Sequence, residues 1–462
     1  VSSFIILFPV FYNGYPLFYS DSALYILVSN LFGALIDVES LPYLSGMGYA
    51  WFIRIVTWRT TLYLVVFAQA LILNILIYHS VKVLVPENKV FKFHLPIITI
   101  LSLFSSMGWT ASQLMPDIFT SILVLAIFLF YSSNKKSKGM YIFLLLMVIT
   151  SILSHLSNIT ISVLLVASIS VLFLFMKSDK RELMVFIKKS LVIVVLIASS
   201  LLILTGLNHK YYNYNGLSPT GNIFFVARLM DTGFMPEFLN EKCIEKSYEM
   251  CRFKDSLPDS YEEFLWNSNS VFNKTGGWNI SAHEEYGQII HDVLTSPKYL
   301  GKFLYNCGLH SLQQLLTFNI GDGLTTVYNK ESAQYQTALR YFDKRELRED
   351  YLNSKQTQGI LNFDKINLIN YVLLVVSVLI ILWTFLRSKF DRNMILFTVI
   401  LISGVIINAI ATASLASVFN RFQSRVIWFI PLLACIYFSA YIYPVLKNQV
   451  SRFTGKSKID SQ

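Results

Sequence analysis

Long apolar runs recur along the chain at lengths suited to helices in a bilayer, whose hydrocarbon core of roughly 30 Å needs about 20 apolar residues in helical form. Such runs cover Thr61–Val83, Leu95–Met107, Pro116–Tyr131, Met140–Leu153, Ile159–Met176 and Leu191–Leu204. After a long polar interval come Ile366–Leu386, Asn393–Ala413 and Val426–Leu446. The opening Val1–Tyr12 is apolar but too short to cross. It is expected to be the end of a first span rather than the remnant of a cleaved signal, since no small-residue cleavage site follows. The pattern predicts an all-α polytopic membrane protein of about ten transmembrane helices.

Two stretches break this pattern. The interval 206–365 is polar, opens on the turn-rich NHKYYNYNGLSPTGN, and then carries apolar residues at three- and four-residue spacing over Glu284–Leu316 and Glu331–Leu352. That spacing predicts a mainly helical domain outside the membrane. The stretch from Asn13 to Trp58 is too polar to cross twice and too apolar for a solvated loop. It predicts two short helices in the interface, Ser22–Ile36 and Leu41–Trp58, with Trp51 and Trp58 at headgroup depth. The expected organisation is therefore an N-terminal membrane module over 1–205, an outer domain over 206–365, C-terminal membrane helices over 366–447 and a basic tail over 448–462.

Composition agrees with this layout: 54% of the 462 residues are hydrophobic and only 14% charged, too few to cover a water-soluble surface. The net charge of +10 reflects lysine and arginine between apolar runs, with no basic stripe for nucleic acid. The basic residues also give an orientation. One alternating set of loops holds Lys82, Lys89 and Lys92, then Lys135, Lys136 and Lys138, then Lys177, Lys180, Arg181, Lys188 and Lys189. The same set continues with Arg387, Lys389 and Arg392, and ends in a tail with Lys447, Arg452, Lys456 and Lys458. The opposite short loops hold only Arg54, Arg59, Arg421 and Arg425. By the positive-inside rule both termini are cytoplasmic and 206–365 is outside. An outside location would permit a local disulfide between Cys243 and Cys251; Cys307 has no obvious partner, and Cys435 lies in an apolar run.

Candidate chemistry gathers on the outer side. Asp21 follows Tyr19 and Ser20 at the start of the first interface helix; it is either a helix cap, a duty Ser20 or Ser22 could also perform, or a carboxylate held at the bilayer surface. Pro116 and Asp117 open a span from outside, where an acid complements the helix dipole but is also a candidate functional group. His155 falls in a tight outer turn. Arg421 and Arg425, four apart, could project from one helical face and grip a phosphate, or anchor to lipid headgroups. In the outer domain Tyr211–Tyr214 and Trp278 could stack on sugar rings, though aromatic residues are commoner as packing.

Together, Tyr19-Ser20-Asp21 ahead of two interface helices, Pro116-Asp117 in the next outer loop, and Arg425 in SRVIWFIPLL resemble the GT-C superfamily of membrane glycosyltransferases. That superfamily includes oligosaccharyltransferases, protein O-mannosyltransferases and aminoarabinose transferases of bacterial envelopes. The resemblance covers the membrane part, Val1–Leu204 and Ile366–Lys447. It implies a polyprenyl-phosphate-linked sugar as donor and a glycan, lipid or protein hydroxyl as acceptor, in a bacterial plasma membrane. By the same resemblance Asp21 would be the general base, Asp117 would orient the acceptor or hold a divalent metal, and Arg425, Arg421 and His155 would bind the donor phosphate. Tyr19 and Trp278 would line the substrate. The chain departs from the family pattern in lacking a second acid beside Asp117, which argues against a tightly bound divalent metal, and in lacking a WWD-type signature, which argues against asparagine glycosylation.

The nearest rival is an O-antigen polymerase or ligase, which would lean on outer-domain basic residues such as Arg228 or Arg340. A transporter without chemistry would call for paired broken helices in related halves or charges in mid-span, and neither pattern is evident. Asn158, Asn273 and Asn279 stand in N-x-S/T sequons, which matter only in a glycosylating secretory pathway.

Overall fold

Side-chain caps at Ser137, Asp179 and Asp391 fix where three of the long apolar helices begin. A computed structural model describes residues 1–31, 46–132, 136–176, 179–278 and 282–447. The chain is 76% helix, with no strand among the described residues; the one extended pairing is an isolated parallel bridge between Leu17 and Gln113. The outer parts of the expected interface helices, the sequon at Asn279, Lys135, Lys177 and the basic tail lie outside the described residues.

The N-terminal part runs through α1 (Ser2–Ile6), α2 (Phe8–Asn13), α3 (Ser22–Leu31), α4 (Met47–Thr57), α5 (Tyr63–Leu84), α6 (Val90–Phe104), α7 (Met107–Ala111), α8 (Ile118–Tyr131), α9 (Lys138–Ser154), α10 (Ser157–Phe175) and α11 (Lys180–Tyr212). Between the membrane parts lie α12 (Gly221–Met230), α13 (Met235–Lys242), α14 (Tyr261–Trp266), α15 (Val271–Lys274), α16 (Ala282–Thr295), α17 (Pro297–Leu316), α18 (Ala333–Tyr341) and α19 (Lys344–Glu346). The chain closes with α20 (Asp364–Arg387), α21 (Arg392–Leu415), α22 (Asn420–Ile427) and α23 (Phe429–Tyr437).

Among the described residues six helices are long and apolar enough to cross a membrane: Tyr63–Leu84, Ser157–Phe175, Lys180–Tyr212, Asp364–Arg387, Arg392–Leu415 and the continuous Asn420–Lys447. Their length and composition mark the chain as a membrane protein. Three other expected spans fall on shorter helices, α6, α8 and α9, of 15, 14 and 17 residues.

Two expected boundaries move. Leu191–Leu204 lies inside the 33-residue α11, which starts where the Asp179 carboxylate accepts the Glu182 N–H at 2.7 Å. Lys180, Arg181, Lys188 and Lys189 are therefore on that helix and not in a loop. The last span begins at Asn420 rather than Val426, so Arg421 and Arg425 are both helical. The apolar run Glu284–Leu316 is likewise two helices, broken at Ser296 because Pro297 opens a new first turn.

At the centre stands α8, apolar on all sides and buried at every one of its 14 positions. Gly404 lets α21 come so close that a Cβ there would lie 3.1 Å from Val124 of α8. The segment 206–365 is divided between two cores. Residues 223–307 build their own, which includes the Cys243–Cys251 disulfide among its partly buried members. Residues 318–363 instead pack on the first loop, where Tyr351 meets Tyr15 and Phe18 edge-on and Gln356 exchanges hydrogen bonds with both backbone groups of Phe18.

Candidate functional site

The chain ends of α3, α8, α10 and α22 converge, and they bring six of the seven expected site residues into one cluster. The deepest pair is Arg425 and Asp117. Asp117 directly precedes α8, yet its side chain caps no backbone N–H; it accepts from Nη1 of Arg425 at 3.2 Å instead. Arg425 is fully buried and Asp117 nearly so. A charge removed from water this completely must be paired and hydrogen-bonded. Arg425 also donates from Nε and Nη2 to Oδ1 of Asn408 on α21 at 3.0 and 2.8 Å, and from Nη2 to the Ser157 hydroxyl at 3.1 Å.

Serines fasten the α22 backbone to its neighbours. Ser121 of α8 donates to the Arg425 carbonyl, and Ser106, next to α7, donates to that of Ser424. Every nitrogen of the Arg425 guanidinium is thus engaged by the protein, so this arginine joins α8, α10, α21 and α22. That differs from the expectation that Arg425 presents itself to a donor phosphate: four residues further along α22 is a full turn deeper, in the dry core rather than at its edge.

Arg421 occupies that edge. Its Nη1 lies 3.5 Å from Oδ2 of Asp21, with the two side chains 22% and 38% exposed. The guanidinium stacks on the Tyr19 ring at 4.4 Å and on the Phe422 ring at 4.9 Å, a cation–π arrangement that fixes its plane. Its Nε is buried with no hydrogen-bond partner. Burial pushes the Tyr19 hydroxyl up to about 12 despite the opposing Arg421 charge, so it stays protonated at neutral pH. Asp21 does not act as a simple helix cap: the Ser22 hydroxyl accepts the Tyr19 N–H at 2.9 Å, while the Asp21 carboxylate accepts from Ser20 at 3.2 Å and faces Arg421.

His155 joins the network through Ser157, whose backbone N–H donates to Nδ1 at 3.2 Å and whose hydroxyl lies 2.8 Å from it. That bond leaves the ring proton on Nε2. Burial, with the Arg425 charge adding to it, pushes the imidazole down to about 3. A neutral histidine can donate one hydrogen bond to a phosphate or sugar hydroxyl but brings no positive charge to it.

Trp278 is not part of the cluster. Its ring packs with Phe224, Trp266 and Phe272 against the core of 223–307. The rival residue Arg228 belongs to that core too, fully buried with Nε donating to the Ala413 carbonyl at 2.6 Å, whereas Arg340 is exposed on α18.

One carboxylate escaped the sequence reading. Asp322 accepts the backbone N–H of Arg421 at 3.1 Å, capping α22 where the preceding Phe419 has no side-chain acceptor. It sits in a Gly-Asp-Gly turn whose flanking glycines have φ of +111° and +71°. The doublet of glycines around an acid was visible as a turn signal, but nothing in the sequence tied it to α22. At Gly323 a Cβ would lie 1.8 Å from the Tyr19 ring. Gly323→Ala is therefore expected to destabilise the protein by more than about 1 kcal/mol, from strain at positive φ together with the clash. Thermal unfolding in detergent checks this, and an unchanged midpoint would rule out the close packing of this turn on Tyr19.

Trp109, Thr110, Gln113, Asp322, Arg421 and Ser424 line a small polar cleft beside the cluster. Among the described residues no three His, Cys, Asp or Glu side chains converge, and the expected metal ligand Asp117 is taken up by Arg425. This donor set does not fit a tightly held divalent ion. Comparison with family models, curated proteins and solved structures found no match to this chain.

Proposed function

We propose that the chain is a membrane glycosyltransferase that moves a sugar from a polyprenyl-phosphate donor to an acceptor hydroxyl at the outer face of a bacterial plasma membrane. On this reading the chain crosses about ten times, with α6, α8, α9 and the α1–α2 unit completing the set of spans. Both termini are cytoplasmic and the α3–α22 cluster is outside. The donor brings its phosphate to the interface, where Arg421 receives it, and the acceptor is a hydroxyl of a glycan, a lipid or a protein.

The observation that carries the reading is the Asp21–Arg421 pair: a carboxylate and a guanidinium 400 positions apart in sequence, partly open, 3.5 Å apart, with Nε of the arginine still free. A phosphate oxygen can compete for Nη1 and, as the side chain turns toward it, take the unpartnered Nε, gaining bidentate, charge-assisted hydrogen bonds and releasing the Asp21 carboxylate from its ion pair. The acceptor oxygen then attacks the anomeric carbon as its proton passes to Asp21. The bond from the anomeric carbon to the phosphate oxygen breaks, its electron pair leaves on the polyprenyl phosphate, and Arg421 meets the charge that develops there. Arg425 and Asp117 hold α22 and α8 in register around this step. Tyr19, kept protonated, orients the Arg421 plane and offers a hydroxyl to the sugar or phosphate.

Arg421→Ala is expected to weaken binding of undecaprenyl phosphate by roughly 10–100-fold, the loss of a charge-assisted hydrogen bond, with Arg421→Lys in between. Titration of the phosphate lipid into purified protein measures it. Unchanged affinity would remove Arg421 from the donor site.

A further inference from the structure

We infer that the C-terminal half of α17 lies in the outer leaflet, against lipid acyl chains, although it belongs to the polar interval between the membrane helices.

A helix at a water-facing surface turns its apolar stripe inward and its polar face outward. The first half of α17 obeys: Tyr299 and Phe303 are buried, while Lys298 and Lys302 reach outward to Glu237 and Glu241. From Leu304 onward the polarity inverts. The protein-facing stripe is Cys307, Ser311 and Gln314, all buried. The outward stripe is Leu304, Tyr305, Leu309, Leu312 and Leu316, exposed at 59, 68, 46, 63 and 76%. Gln313 is the one exposed polar side chain between 304 and 316. The polar groups of the buried stripe bond within the protein: Gln314 accepts the Phe419 N–H at 3.0 Å and donates to the Phe419 carbonyl at 2.8 Å, and Ser311 donates to the Cys307 carbonyl at 2.6 Å, while Nδ1 of the half-buried His310 has no partner. Polar atoms inward and leucines outward is the arrangement lipid selects, because hydrocarbon tolerates neither a free N–H nor a free carbonyl.

Neighbouring elements give the occupant. α17 packs along α21, itself a helix of membrane-crossing length. Directly after α17, Phe318 meets the Tyr371 ring at 4.9 Å and Asn319 accepts the Tyr371 hydroxyl at 2.9 Å. Tyr371 is about two turns inside α20, so the end of α17 reaches below the start of a membrane helix. At that depth Leu368, Val372 and Val375 of α20 are exposed. An exposed leucine face whose end is tied two turns into a membrane-length helix has acyl chains as its partner.

The test places a benzophenone amino acid at Leu312 of the full-length protein, in liposomes of phosphatidylethanolamine and phosphatidylglycerol. Lys298 is the water-facing control and Leu379, exposed on α20, the lipid-facing one. After irradiation, mass spectrometry is expected to find phospholipid adducts at 312 and 379 and none at 298. A Leu312 probe that yields no lipid adduct while Leu379 does, or that cross-links to a second copy of the chain, overturns the inference. If the Leu312 variant does not purify as a monodisperse protein, Leu309 and Leu316 serve in its place under the same criteria. The outcome is independent of whether the α3–α22 cluster binds a donor.

Discussion

Replacing Arg425 by methionine is expected to destabilise the protein by about 3–5 kcal/mol, the range for breaking a buried pair by removing one partner. The effect comes less from the lost attraction than from what remains. Asp117 would keep a charge at 4% exposure with no counterion, and Asn408 would lose both donors to its amide oxygen. Removing both charges, as in Arg425→Met with Asp117→Leu, is expected to be milder than the sum of the single changes, since the two residues share one interaction. Thermal unfolding in detergent of the two single variants and the double variant measures this. Additive effects would mean that Arg425 and Asp117 do not act as a pair, and α22 would then need another anchor.

A second large effect is expected at Asp21, on activity rather than stability. Asp21→Asn keeps the size of the side chain and its proximity to Ser20 but cannot accept a proton at neutral pH. On the proposed mechanism, release of undecaprenyl phosphate from undecaprenyl-phosphate-linked sugars should fall by roughly 10²–10⁴-fold, the usual contribution of a general base. Binding of undecaprenyl phosphate itself should persist or tighten, because Arg421 loses a competing carboxylate. Membranes containing each variant, analysed for lipid products by mass spectrometry, give both readings. Wild-type turnover in Asp21→Asn would take that residue out of the mechanism, whereas an unfolded variant would appear as lost binding.

How far the sequence foretold this arrangement differs from residue to residue. Asp21, Asp117, Arg421 and Arg425 were readable as a group because each is anomalous for its place: acids at the ends of apolar runs, and arginines in the set of short loops otherwise poor in positive charge. Their division of labour was not readable. Spacing of four predicts a shared helical face, which α22 provides, but not how far along that face the core begins. One turn separates a saturated, fully buried Arg425 from an Arg421 with a free nitrogen. The surroundings of His155 were unreadable for a related reason, since the turn that holds it is dry and beside a guanidinium. Trp278 carried only an aromatic's ordinary ambiguity, and here packing won.

At the level of the fold, the apolar runs foretold an all-helical membrane protein. The long α11 was obscured because Lys188 and Lys189 read as loop residues, yet lysines are good helix formers and Asp179 supplies the start. The split of 206–365 between two cores depends on contacts such as Gln356 with Phe18, 338 positions apart, which no local pattern encodes.

The central claim, that a lipid phosphate binds at Arg421 beside Asp21, is tested most directly by cryo-electron microscopy of the protein with undecaprenyl phosphate. The account predicts phosphate density within about 3 Å of Nε and Nη1 of Arg421, with the prenyl chain leaving sideways into the membrane. Phosphate density at Arg228 or Arg340, or at the lysines near Lys82 and Lys89, would contradict it.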